Sequence, residues 1–119
     1  MRTRVAKDRR RSPRRPPPRS VPRADAGLFR ELASRWRSET DVVSSVSEMV
    51  LNPAYQQIIG MGPNAVPFLL RELERESGHW FWALEAITRT NPVDPHDQGD
   101  VPAMRAAWLQ WGKRHGYLR

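Results

Sequence analysis

From Ala24 onward the apolar residues recur at intervals of three and four, and no alternating run of useful length interrupts them. That pattern predicts an all-α domain over residues 24–119. In "ADAGLFRELASRWRSET" Asp25 reads as an N-cap, and Leu28, Phe29, Leu32 and Trp36 share one face of a first amphipathic helix. "SVSE" at 45–48 has the spacing of a capping box, with Ser45 as cap and Glu48 reaching back. The short helix it opens is expected to stop and restart at Asn52-Pro53, because proline fits a first helical turn. Tyr55, Ile58 and Ile59 then form one apolar side before Gly60 and Gly62 end the segment.

The next helix is expected in "GPNAVPFLLRELERESG", with Asn64 as cap and Pro67 in the first turn, where a missing N–H has no intrahelical partner to lose. Val66, Leu69, Leu70 and Leu73 make its stripe, while Arg71, Glu72, Glu74, Arg75 and Glu76 make a solvated face. Phe68 falls off that stripe. After a Ser77-Gly78 turn, "HWFWALEAI" opens another helix at His79. Successive helical residues point about 100° apart, so Trp80, Phe81 and Trp82 cannot face one core. Trp80, Ala83, Leu84 and Ile87 share one face, and Trp82 lies opposite with Glu85, Ala86 and Arg89. "TNPVDPHDQGD" is a turn-rich loop, after which Asp100 caps a final helix with Pro102 in its first turn. Val101, Met104, Trp108, Trp111 and His115 form its stripe, Gly116 stops it, and Tyr117-Leu118 are expected to fold back on its end.

Trp82 is the residue this pattern leaves over. Burying a large aromatic removes on the order of 150–250 Å² from water, so an exposed one forgoes a substantial stabilisation. Two accounts fit. Either the C-terminal helix covers that side and Trp82 meets Trp108 or Trp111, or Phe68 and Trp82 form an exposed aromatic patch that anchors a partner. The double-sided burial usual for the middle helix of a packed set favours the first.

Charge changes the picture only at one end. Residues 1–23 hold ten Arg or Lys against the single acid Asp8, a formal +9, while the remainder holds ten basic and twelve acidic side chains, a formal −2. With Pro13, Pro16, Pro17, Pro18 and Pro22 among them, residues 1–23 are expected to form a disordered Arg/Pro-rich arm. Arg9, Arg10, Arg11, Arg14, Arg15 and Arg19 are candidate phosphate contacts, for which any nucleic-acid binding would be non-specific and salt-dependent. No aromatic residue lies among them to stack on bases. An Arg-rich, Lys-poor leader is equally what a GC-rich reading frame yields when translated from too far upstream.

The chain has no cysteine, which excludes disulfides and thiolate metal sites and fits a reducing compartment. No apolar run is long enough for a membrane span, and the Arg run is followed by "RRPPPRSVPRADAG" rather than by the apolar segment of a signal peptide. The expected location is cytoplasmic. For an enzyme there is no nucleophile elbow, no phosphate-binding Gly loop and no His-Glu-x-x-His arrangement. Asp94, His96, Asp97 and Asp100 are the one cluster with metal-ligand chemistry, but Asp and His are ordinary turn residues and Asp100 is needed as a cap. His115 reads as a partly buried, hydrogen-bonded residue near a helix end. No catalytic residue, cofactor, metal or small-molecule substrate is therefore expected.

At "IIGMGPNAVPFLLRELERESGHWFWALEAI" the order of helix, Gly-Pro-x-Ala-Val-Pro, Leu-rich helix, short turn and Ala-Leu-x-Ala-Ile resembles one repeat junction of bacterial HEAT-like (lyase-type) proteins. "AITRTNPVDP" with the Trp-rich "AMRAAWLQWGKRHG" is similar to the segments that cap such arrays. The resemblance covers roughly residues 53–115, and the "PAYQ…IIGMGP…HWFWAL" pattern is also similar to that of small, uncharacterised bacterial proteins. It implies a short stack of about four to five antiparallel helices acting as a protein-binding scaffold. Some relatives of that fold act on DNA bases or tetrapyrroles, so the fold by itself leaves function open. Only about one and a half repeats fit, whereas stacked repeats usually need about three, so the first and last helices or a partner must cap the stack. The expectation is a small non-catalytic protein–protein interaction module with Phe68, Arg71, Arg75, Trp82, Glu85 and Arg89 as contact residues. The alternative is a nucleic-acid-associated accessory protein that uses the arm.

Overall fold

The computed structural model describes residues 23–42, 45–75 and 79–119. Residues 1–22 of the arm, with its six candidate arginines, and the expected Ser77-Gly78 turn lie outside the described residues, while Arg23 opens the first helix. Among the described residues every regular element is helical: α1 (Arg23–Thr40), α2 (Val46–Leu51), α3 (Pro53–Gly60), α4 (Val66–Arg75), α5 (Phe81–Thr88) and α6 (Val101–Arg114), with 3₁₀ turns at Gly62–Ala65 and Pro95–Asp97. The fold is all-α.

Local signals set several boundaries where the sequence places them. Ser45 accepts from the Glu48 N–H while the Glu48 carboxylate accepts from the Ser45 N–H, a complete capping box at α2. Asn52 ends α2 and caps α3 by accepting from the Ala54 N–H at 2.8 Å. Asp100 caps α6 through the Ala103 N–H, and Pro102 occupies the first turn. At the other end of α6, Gly116 takes a left-handed φ of 81°, and the N–H groups of Tyr117 and Leu118 both donate to the Gly112 carbonyl.

Two expected caps differ. α1 begins at Arg23, so Asp25 lies inside its first turn, and Asn64 belongs to the 3₁₀ turn that runs directly into α4. The two side chains serve each other instead: Asn64 Nδ2 donates to the Asp25 carboxylate at 2.9 Å and ties the start of α1 to the entrance of α4. The stripe of α1 also shifts by a few tens of degrees. Phe29, Leu32, Ala33 and Trp36 are buried, and Leu28 faces outward.

The helix contacts run in two files. In one, α3 packs between α1 and α5; in the other, α4 packs on α6. The files are joined where α4 packs on α5, where Phe29 of α1 stacks on Phe68 of α4 (5.3 Å), and by the Arg37–Glu72 ion pair. Packed against α5, α6 and the preceding 3₁₀ turn, α4 has Val66, Leu69, Leu70 and Leu73 fully buried, each contributing about 1.5–3 kcal/mol of burial. Glu72, expected on the solvated face, is mostly covered because its two carboxylate oxygens hold Arg37 of α1 and Arg75 of α4.

At the centre sits an aromatic cluster. The Tyr55 ring lies parallel to Trp80 at 5.5 Å, Trp36 closes against Trp80 at 4.6 Å, and Phe29 reaches Trp80 at 6.0 Å. One stacked and two tilted ring pairs of this kind add to area burial. Two of the cluster's polar atoms are paired with backbone. Trp36 Nε1 donates to the Met49 carbonyl at 2.8 Å, and the Tyr55 hydroxyl donates to the His79 carbonyl (2.7 Å) while accepting from the Ala83 N–H (3.0 Å).

Candidate functional site

Helix α5 starts without a cap of its own. Its N-cap position is Trp80, which has no side-chain acceptor, so the first-turn N–H groups lack a local partner. The Tyr55 hydroxyl from α3 supplies that acceptor for Ala83 and, through the His79 carbonyl, fixes the chain just before the helix. Burial pushes the Tyr55 phenol well above its ordinary range, which keeps it protonated and able to donate. Sequence reading placed Tyr55 on an apolar stripe and missed this role, because the partner lies 28 residues away.

With its inner face fixed by Trp80, Ala83 and Leu84, α5 turns Trp82, Glu85, Ala86 and Arg89 to solvent. Trp82 is 60% exposed. This overturns the expectation that the C-terminal helix covers it. α6 is held on α4 instead: Arg105 donates to the Leu73 and Glu74 carbonyls at the end of α4, and Gly112 sits close against Leu70. Trp108 and Trp111 therefore meet each other (5.3 Å), and Trp111 carries His115 and Tyr117 on its ring. His115, expected to be partly buried, is exposed but does bond the Trp111 carbonyl.

The sequence-derived contact residues separate into two groups. Phe68 is half-buried against Phe29, Arg71 lies over the Phe68 ring at 5.9 Å, and Arg75 is bound to Glu72 at 3.4 Å. Phe68 thus lies at the seam between α1 and α4, while Arg71 and Arg75 stay exposed on α4. Trp82, Glu85 and Arg89 form the second group. Their side chains make no hydrogen bond, ion pair or ring contact among the described residues. Arg89 also holds a left-handed backbone, φ 55° and ψ 35°, at the C-cap of α5, a conformation that glycine or asparagine adopts at lower cost.

The loop residues with metal-ligand chemistry are used locally. Asp94 accepts from the His96 N–H and pairs with its ring, Asp100 caps α6, and among the described residues no three His, Asp or Glu side chains converge as metal ligands. An open cleft of about 450 Å³ lies between the start of α1 and the end of α3, lined by Asp25, Leu28, Gln57, Met61 and Asn64, and its Asp25 and Asn64 are bonded to each other. No helix among the described residues is long and apolar enough to cross a membrane. Comparison of the chain with protein-family models, with curated proteins and with solved structures gives no match.

Proposed function

We propose that this chain is a small non-catalytic protein–protein interaction module of the HEAT-like type, acting in the cytoplasm and contacting its partner through the outer face of α5. The observation that carries the reading is the stripe Trp82, Glu85, Arg89: a 60% exposed tryptophan flanked by an acid and a base that make no hydrogen bond or ion pair among the described residues. Tryptophan and arginine are the residue types that anchor protein interfaces. The two-file helix contacts support the HEAT-like assignment, since stacked helix pairs give that pattern, with α1, α3 and α5 in one file and α4 and α6 in the other. The non-catalytic reading is supported by the use of the buried and loop polar groups as caps and ties. The reading predicts that Trp82→Ala changes stability by less than about 0.5 kcal/mol while abolishing retention of a protein partner from the native host. A Trp82→Ala protein that keeps its partner refutes it.

The basic arm favours a second reading, in which the protein accompanies nucleic acid. Replacing Arg9, Arg10, Arg11, Arg14, Arg15 and Arg19 with glutamine in the full chain separates the two. Nucleic acid lost with those arginines and at high salt supports the accessory role. A protein partner retained without them supports the module.

A further inference from the structure

The geometry points to a second copy of this chain as an occupant of the α5 face, docked antiparallel about a two-fold axis that passes between Glu85 and Ala86. The inference rests on reading that face as a contact surface and adds what fits it. Along the stripe the order is ring, acid and small residue at positions i, i+3 and i+4 of α5, then a base at its C-cap, all exposed. Reversing the helix about the midpoint of residues 82 and 89 brings Trp82 opposite the partner's Arg89 and Glu85 opposite the partner's Ala86. With a rise of about 1.5 Å per residue, Glu85 lies only about 4.5 Å along the axis from the level of Trp82. Each Arg89 is thus received by two groups of the other copy, the Trp82 ring face as a cation–π contact and the Glu85 carboxylate as an ion pair. Ala86 at the crossing lets the two backbones approach.

Charge complementarity selects the occupant. A partner surface of one sign leaves either Glu85 or Arg89 facing a like charge, whereas the reversed stripe satisfies both, and does so twice by symmetry. The left-handed backbone at Arg89 agrees with this, because a glycine there would relieve the strain and remove the only base on the stripe. One aromatic anchor per side makes a small interface, so the dimer is expected to be weak, with a dissociation constant on the order of 10–100 μM.

Sedimentation of the full chain from about 5 to 500 μM tests this. The expected result is a concentration-dependent shift from monomer to dimer that Trp82→Ala abolishes. Glu85→Arg and Arg89→Glu each place like charges across the axis, so each alone is expected to be monomeric. Mixed in equal amounts they are expected to associate, since the stripe of one chain then carries only basic groups and that of the other only acidic ones. Folding of every variant is checked by circular dichroism. A wild-type chain monomeric throughout, a dimer that survives Trp82→Ala, or a mixture no more associated than its components overturns self-pairing. The module reading is judged separately, by whether Trp82→Ala loses a different captured protein.

Discussion

Replacing Tyr55 with phenylalanine removes a single oxygen atom and leaves the ring in its parallel stack with Trp80. The loss is confined to two hydrogen bonds. The Ala83 N–H, on a fully buried residue in the first turn of a helix with no side-chain cap, is left without an acceptor. A buried donor without a partner costs about 1–3 kcal/mol. The His79 carbonyl belongs to an exposed residue and recovers water, so its share is at the low end, about 0.5 kcal/mol. The expected destabilisation is about 2 kcal/mol in total. Urea titration followed by tryptophan fluorescence reads it directly: with a slope of about 1–2 kcal/mol/M, the midpoint falls by about 1–2 M at unchanged slope. The same variant carries a pH signature. The folded Tyr55 phenol ionises at higher pH than the unfolded one, so above about pH 10 the unfolded chain releases a proton that the folded chain keeps. Stability due to this group is whole below about pH 10 and falls as pH rises above it, at about 1.4 kcal/mol per unit. Tyr55→Phe is expected to lack that decline. A midpoint within about 0.3 M of wild type, with the alkaline decline intact, refutes the assignment of Tyr55 as the cap of α5.

Three further substitutions test the packing. Gly112→Ala places a methyl group 2.7 Å from Leu70 Cδ1 and 3.1 Å from Leu118 Cδ1. The fully buried Leu70 has little room to yield, so an overpacking cost of about 1–3 kcal/mol exceeds the helix-propensity gain of about 1 kcal/mol, and a lowered melting temperature is expected. Arg105→Ala uncaps the last-turn carbonyls of α4 and is expected to cost about 1–2 kcal/mol in the urea titration, with Arg105→Lys recovering only part because it lacks the forked donors. Arg89→Gly relieves the left-handed backbone and is expected to raise stability by about 0.5–1 kcal/mol while weakening any contact made through α5, and a loss of stability would show that the Arg89 side chain serves the fold.

What the sequence discloses is what four consecutive residues decide. The Ser45–Glu48 box, the Asn52-Pro53 restart, the Asp100 cap and the α4 stripe are all local, and all stand. The failures share the opposite property. Asp25 and Asn64 each have the chemistry of a cap, yet they bond each other across 39 positions, and Glu72 leaves its solvated pattern for an arginine 35 residues earlier. The stripe of α5 was legible as a set, because helical periodicity alone groups Trp82 with Glu85, Ala86 and Arg89. Its exposure was not, since that depends on α6 packing on α4, where Arg105 and Gly112 meet α4 and Trp108 and Trp111 join the core.

Trp80 and Trp82 are two residues apart and serve opposite ends of the same arrangement. Trp80 is 1% exposed, gripped by Tyr55, Trp36 and Phe29, and Trp82 is the most exposed aromatic assigned to a helix face. An eight-residue helix is too short to hold itself in water, so α5 owes its shape to that grip and to the hydroxyl of Tyr55. The outer stripe is consequently mounted on the buried aromatic cluster. A contact surface built this way loses little conformational entropy when it binds, which is how a small patch with one aromatic anchor gains affinity without added area. Loosening the Tyr55 cap is therefore expected to weaken contacts made by Trp82 even though the two side chains point away from one another.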